Sequence, residues 1–363
     1  MSDTRLLIEV DGTELLQDQL EVLSQVVVEE ALDEADAATL TARLEAQPDG
    51  EWTSLLDPLV EPRTELVVQV ARGDAAYRFE GLSTEASWHV DPAGASQLTV
   101  KAVDRTLELD LEEKIVAWPG NSDSSIAEAI FGEHGFASEV EATPAGPDPD
   151  VHMVVQRGTD LAFLRSLAAK WGYAVYLEAE DGRITGHFDP IDPLADPQGE
   201  LSLGFGGTGA AIDATASLAA APLVRATRIP ALSDTPQSGE SSGDDEAQGA
   251  LSLGGQTTLL LSPTDVDGEV EPLDVAQALA RRSAFAVRLT AEIETDVAGI
   301  LLRARRPILV KGIGSSLSGQ YLVERVRHDV TVERHRQHVT LVRNALGLKG
   351  DEAFGQAGLG GLL

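Results

Sequence analysis

Apolar and polar positions alternate most cleanly through Glu65–Ala71 and again through Ala76–Leu82, on either side of Arg72-Gly73-Asp74. A period of two predicts two half-buried strands, with Leu66, Val68, Val70, Tyr77 and Phe79 facing inward and the Gly-containing tripeptide as a hairpin tip. A hairpin tip accounts for Arg-Gly-Asp better than an adhesion motif does. Arg5–Val10, followed by an Asp11-Gly12 turn, reads as a first strand, and Leu20–Glu30, Ala38–Glu45 and Leu98–Val103 read as further strands. Short strands at regular spacing with turn residues between them predict a small barrel or sandwich over residues 1–110.

The period then changes. Ser124–His134 reads as a helix capped by Ser122 or Asp123 and stopped by Gly135, and Pro144–Pro149 as a loop. In the stretch Val154–Tyr173, Thr159 is a suitable N-cap, and Asp160 complements the dipole of the first turn. Leu161, Leu164, Leu167, Ala168 and Trp171 recur at helical spacing, Gly172 stops the helix, and Tyr173–Leu177 resumes as a strand. Burying the three leucines and the tryptophan is worth roughly 1.5–3 kcal/mol each, so this helix forms a core. Residues 111–185 are therefore expected to be an α/β insert.

A second β-rich body is expected over 186–346. Pro307–His328 reads as a hairpin through Gly312-Ile313-Gly314-Ser315-Ser316, and Val339–Asn344 as a third strand. Leu273–Val287 reads as a helix with Pro272 near its start and Val275, Ala278, Leu279 and Phe285 on one face. Residues 233–256 hold Pro, Gly, Ser and acids without Lys or Arg, which predicts a flexible loop, and 347–363 reads as a flexible Gly-rich tail.

Composition narrows the chemistry. The chain of 363 residues is long enough for several cores, and with aromatics at 4% those cores must rest on Leu, Val, Ile and Ala. There are no cysteines, hence no disulfides or thiolate metal sites. Met1–Arg5 runs straight into a strand without a signal-peptide pattern, and no apolar run approaches the roughly 20 residues that span a bilayer. A soluble chain made in a cytoplasm is expected. The net charge of -33 argues against nucleic acid and against anionic membrane as partners.

That charge is uneven. Residues 1–50 hold 13 Asp/Glu against Arg5 and Arg43, whereas 301–350 hold 10 Lys/Arg against Glu324, Asp329 and Glu333. One reading is ordinary solubility in a GC-rich or saline host. The other is that the basic C-terminal strands meet an acidic face, on a neighbouring subunit or a separate partner, through Arg303, Arg305, Arg306, Lys311, Arg325 and Arg327.

Catalytic signals are weak. Gly204-Phe205-Gly206-Gly207-Thr208-Gly209 matches a dinucleotide-binding pattern but lacks the amphipathic helix that should come after it. His335 and His338 fall on opposite faces of an expected strand, so with His328 they make a poor metal site. No nucleophile motif or phosphate loop appears; no cofactor and no enzymatic activity are expected.

Four features in order carry a resemblance: Phe79-Glu80-Gly81-Leu82; Val103-Asp104-Arg105; Gln156-x-x-x-Asp160-x-x-Phe163-Leu164-x-x-Leu167-Ala168 ending in Gly172-Tyr173; and Lys311-Gly312-Ile313-Gly314 followed by Ser318-Gly319-x-Tyr321-x-Val323-x-x-Val326-x-His328. Together they resemble the phage late control protein D family of baseplate hubs, over about residues 5–346. The resemblance implies a mainly β fold with an α/β insert and two similar β-barrel domains per chain. It also implies a homotrimeric ring that adapts a hexameric inner tube to a trimeric spike, among baseplate wedge proteins. The spike is expected to be a separate polypeptide, because the chain shows no needle repeats. Cytoplasmic assembly and a place in a phage tail, tailocin or extracellular contractile injection particle are further implications. The alternatives are a cell-wall-degrading tail enzyme and a monomeric carbohydrate-binding β-protein.

Overall fold

A computed structural model describes residues 4–91, 94–150, 153–180, 182–203, 207, 210–217, 221–228, 237–242, 247–261, 272–331 and 334–350. The chain is mainly β. Its first body contains β1 (Thr4–Val10), β2 (Leu23–Ala31), β3 (Ala37–Arg43), β4 (Glu65–Arg72), β5 (Ala75–His89) and β6 (Gln97–Asp104). They lie in the order β2-β3-β6-β5-β4-β1, every neighbouring pair antiparallel. Leu66, Val68, Val70, Tyr77 and Phe79 all face the core, and Gly73 turns the hairpin tip at φ +58°. The strand expected from Leu20 begins only at Leu23, because Gln17–Leu20 is a helical turn.

The middle body holds β7 (Lys114–Trp118), α1 (Asp123–Glu133), β8 (Ala137–Val140), β9 (Val154–Gly158), α2 (Asp160–Trp171), β10 (Ala174–Glu180) and β11 (Arg183–Asp189). Ser122 Oγ caps α1 by accepting from Ser125 N, and Thr159 Oγ1 caps α2 by accepting from Ala162 N. Gly172 ends α2 in the left-handed region at φ +69°. Leu161, Leu164, Leu167 and Ala168 are buried as their spacing predicts, and so is Phe163.

Next come β12 (Glu200–Ser202), β13 (Ile212–Ala216), β14 (Ala221–Arg228), β15 (Gln237–Ser241), β16 (Gly254–Leu261), α3 (Pro272–Ser283), β17 (Val287–Glu294), β18 (Pro307–Lys311), β19 (Gly319–Val330) and β20 (His335–Arg343). Six of these form the second body's part of the sheet, in the order β13-β17-β20-β19-β18-β12. Taken in chain order, these six strands occupy the same places as β1 to β6 do in the first body. The plan differs at one joint: β12 runs parallel to β18, whereas β1 runs antiparallel to β4. Even the irregularities match. Thr84 is an extra residue in β5 against β6, and Glu324 is an extra residue in β19 against β20. Each body has its own apolar core, and the middle body has a third.

Two expectations need correction. The helix expected over Leu273–Val287 stops at Ser283, because Val287, Leu289, Ala291 and Ile293 alternate inward as strand β17. Within 233–256, expected as a loop, Gln237–Ser241 forms a strand paired with β14, and β16 pairs with β14 on the other side. Val224 and Ala226 pack there against Val275, Ala276 and Ala280 of α3, so strand pairing and one helix supply what the polar composition lacks. Of the Gly-rich pattern, 204–206 and 208–209 lie outside the described residues, as does 351–363 of the tail; the next described element after the pattern is strand β13. No helix among the described residues is long and apolar enough to cross a membrane.

Candidate interaction site

The six basic residues singled out by charge all meet carboxylates of their own chain. β2 pairs antiparallel with the second half of β19, joining the two bodies into one sheet. Across that joint Arg327 approaches Glu29 at 3.7 Å, and Arg325 meets Glu34 at 2.5 Å. Lys311 pairs with Glu200. The run Arg303-Ala304-Arg305-Arg306 reaches further. Arg303 Nε donates to Glu30 at 2.8 Å, and its Nη2 donates to Glu178 of the middle body at 2.7 Å. Arg305 donates to Asp36 at 2.7 Å, while Arg306 donates to Glu178 at 2.8 Å. Four consecutive residues of the second body thus hold both other bodies.

Burial decides how much each pair contributes. Glu30 is fully buried and Arg303 and Arg305 nearly so, whereas the side chains of Arg306, Arg325 and Arg327 are 44%, 39% and 40% exposed. Glu30 is satisfied twice, since its second oxygen accepts from Ala304 N at 3.1 Å. Aromatic faces complete the packing, with Arg303 over Tyr77 at 4.5 Å and Arg305 over Tyr176 at 4.4 Å. Arg305 itself adopts φ +65°, which costs a non-glycine residue on the order of 1–3 kcal/mol and persists because its fork is held.

These contacts perturb the ionisable groups. Burial lowers the Arg303 and Arg305 guanidinium pKa values, but Glu30 and Glu178 for the one, and Asp36 for the other, outweigh it and raise them. Asp36 is pushed up by burial despite Arg305, and the Tyr77 hydroxyl, which donates to Asp36, is pushed well up by burial and that neighbouring carboxyl. Asp104, buried beside Asp36, is pushed up to about 7. Beneath the joint, His328 Nδ1 and His335 Nε2 share a hydrogen bond of 3.0 Å, and His335 Nδ1 meets Thr4 Oγ1 of β1 at 3.0 Å. Burial, then His335 and Arg303, hold His328 well below the usual imidazole range, and burial takes His335 down to about 4. His338 lies on the opposite face, 3.7 Å from Glu292. Among the described residues no cluster of His, Asp or Glu could hold a metal ion.

Composition flagged the arginines but not their partners Glu30, Asp36 and Glu178. A signal existed in the acidic run from Glu29 to Asp36, opposite in sign to 303–306. The other motif, Gln156 and Asp160, forms a polar knot in the middle body. Asp160 accepts from Gln156 at 2.7 Å and Lys114 at 2.7 Å, and lies 2.8 Å from His134 Nε2; Gln156 accepts from Trp118 at 3.3 Å. Burial would raise the Asp160 pKa, but these hydrogen bonds outweigh it and lower it.

A family model described as the phage tail baseplate hub (GPD) matches residues 29–334. The chain belongs to that baseplate hub family. Solved structures agree in fold. The hub chain resembles the 43 kDa tail protein of prophage MuSo2 from Shewanella oneidensis with a TM-score of 0.63 at 13% identity, covering 94% of this chain and 99% of that one. It resembles a tail protein from Neisseria meningitidis MC58 with a TM-score of 0.64 at 12% identity, covering 94% and 97%. A third likeness, with a TM-score of 0.54 at 12% identity and 93% and 76% coverage, is to an E. coli component of the type VI secretion system, itself structurally similar to T4 tail proteins gp27 and gp5. No match was found among curated proteins.

Proposed function

We propose that three copies of this chain form a ring in the baseplate that presents six equivalent β bodies upward to a six-fold inner tube and three-fold symmetry downward to a spike. The observation that carries this reading is the repeated plan: six strands in the same chain order and the same spatial order, twice. A closed ring repeats each interface under one operator, so a six-fold partner can meet a three-membered ring on equal terms only if each member shows the contact surface twice. The buried joint of Glu30, Asp36, Arg303 and Arg305 then holds the two copies of the plan in fixed relation.

The role is structural, without catalysis. Each of the two plans is read as a barrel-type domain, the first over 1–110 and the second over 186–346, with the α/β insert between them. Assembly takes place in the cytoplasm before incorporation into the particle, with wedge proteins around the ring. The exposed arginines Arg306, Arg325 and Arg327, each already beside an acid, stand where a neighbouring acidic face would find them.

The test is the mass and outline of the purified chain. Light scattering should give three times the 38.4 kDa chain mass, and averaged electron images should show a three-fold ring with six lobes. A stable monomer at every concentration, or a ring with any other symmetry, overturns the reading.

A further inference from the structure

Beneath the strand pairing that joins the two bodies lies a short polar chain built from both. His328 of β19 stands opposite Val28 of β2, and its Nδ1 meets Nε2 of His335, the first residue of β20, at 3.0 Å. Nδ1 of His335 in turn meets the Thr4 hydroxyl of β1 at 3.0 Å. Both imidazoles are buried, at 0% and 1% exposure. Tyr77 of β5 stacks on His328 with ring centroids 6.0 Å apart. Three strands of the first body thus close on two histidines of the second.

Such a pair is suited to neutral rings. Each neutral imidazole has one N–H and one acceptor nitrogen, so whichever ring donates, the other accepts. One added proton buries a charge, and two would set N–H against N–H across the same 3.0 Å. The surroundings give that charge little help. Arg303 beside His328 and Arg72 beside His335 both disfavour a cation. Asp296, Asp329 and Glu294 act in the opposite sense on His335, but each is already engaged, with Arg72 at 3.9 Å, Gln25 at 2.9 Å and Arg336 at 2.5 Å respectively. Gln337, opposite His328 on β20, is neutral and bound to Leu302 N, the Thr295 hydroxyl and Ile300 O. Burial takes His335 down to about 4 from 6.5, so the uncharged pair is whole above 6.5 and is lost as pH falls toward 4.

We propose that the His328–His335 pair is a proton-operated latch on the joint between the two bodies. Proton uptake separates β2 from β19 and Thr4 from β20, and the bodies come apart as units, each still folded on its own core. The pairing to be undone is short, Val26–Ala31 against Arg325–Val330. A rival trigger stands close by. The Asp36 carboxyl is pushed up by burial, so it too sheds its charge in acid and with it the pairing to Arg305. The latch lies within one chain and does not depend on how many copies form the ring.

Hydrogen–deuterium exchange of the full chain from pH 7 to 4 tests this, with the amides of Ala38–Ala42 and Leu98–Ala102, where β3 pairs with β6, as internal reference. In the wild type, protection at Val26–Ala31 and Arg325–Val330 should fall by roughly tenfold or more relative to that reference. In His335→Gln, whose amide still reaches for Thr4 and His328 but takes up no proton, the fall should shrink to about threefold or less. In Asp36→Asn it should persist. The wild type carries a check that needs no variant to fold: two of its seven histidines should titrate, by their imidazole ring signals, over the interval in which protection is lost. Joint amides that keep their relative protection down to pH 4 overturn the latch. So does an equal fall in the wild type and His335→Gln, a fall that vanishes in Asp36→Asn, or one that no imidazole accompanies.

Discussion

Asp104 ends β6 in the first body and Arg343 ends β20 in the second, at corresponding positions of the repeated plan. Both are buried and neither has an ion-pair partner among the described residues. Asp104 accepts from Asp36 N and Thr106 N, each at 2.9 Å, and from the Thr106 hydroxyl. Arg343 donates to the carbonyls of Gln248, Gly347, Ser318 and Leu317, the closest at 2.7 Å, and rests over Tyr321. One site gathers amides and the other gathers carbonyls. The same place in the sheet thus serves as an anchor for neighbouring loops, with a polarity set by which backbone groups those loops present. The cores diverge similarly: Ala38, Leu40 and Ala42 on β3 correspond to Leu289, Ala291 and Ile293 on β17, small for large and large for small. What repeats is the strand plan, while each body solves its own packing.

The strongest way to break that comparison is to remove the anchors. Arg343→Leu leaves the carbonyls of Gln248, Ser318 and Gly347 short of a donor in a buried site, while Leu317 keeps the Tyr321 hydroxyl, and should destabilise the protein by about 3–5 kcal/mol in urea unfolding. A loss below about 1 kcal/mol would mean that water replaces the guanidinium easily and that the loops need no anchor. Arg303→Met, which strands the buried Glu30, should cost roughly 3 kcal/mol. Adding Glu30→Gln should recover part of that loss, because the uncompensated charge is then gone. Without such recovery, the joint would owe its strength to shape and not to charge.

Titration sharpens the contrast. The Asp104 carboxyl is pushed up to about 7 from 3.8, so its contribution is whole at acid pH and is lost as pH rises through that window. His335 is taken down to about 4 from 6.5, so its contribution is whole above 6.5 and is lost as pH falls toward 4. Non-titrating variants should therefore drift in opposite directions against the wild type. Asp104→Asn gains in relative stability from pH 4 to 7, and His335→Gln gains from pH 6.5 down to 4, each by roughly 1–3 kcal/mol. Unfolding free energies across that range check it, and differences that stay flat with pH would refute both environments.

Local features are legible in the sequence because their causes are local. The turn at Arg72-Gly73-Asp74, the caps Ser122 and Thr159 and the stop at Gly172 each depend on a few adjacent residues, and each stands where spacing puts it. The end of α3 is not legible in that way. Its helical stripe through Phe285 runs into the alternating stretch from Val287, and periodicity alone does not say where one gives way. The joint of β2 and β19 is invisible for another reason. Its partners are about 300 residues apart, and pairing at that distance is chosen by the whole fold. Charge counting does register that one end is acidic and the other basic, but not that Glu30 and Asp36 are buried against Arg303 and Arg305.

The smallest expected effect separates buried from exposed arginines in one cluster. Arg303 and Arg306 both donate to Glu178 Oε1, at 2.7 and 2.8 Å, yet the first side chain is 10% exposed and the second 44%. Arg306→Ala leaves Glu178 with its Arg303 partner and returns a half-exposed site to water, so the loss should be about 0–1 kcal/mol. An effect as large as that of Arg303→Met would show that Arg306 carries the contact to the middle body and that exposure is a poor guide here. If stability holds while the variant fails to enter assembled particles, the half-exposed guanidinium serves a neighbour as well as its own chain. That outcome would divide the basic run by depth, the buried members binding the chain to itself and the exposed ones binding it to others.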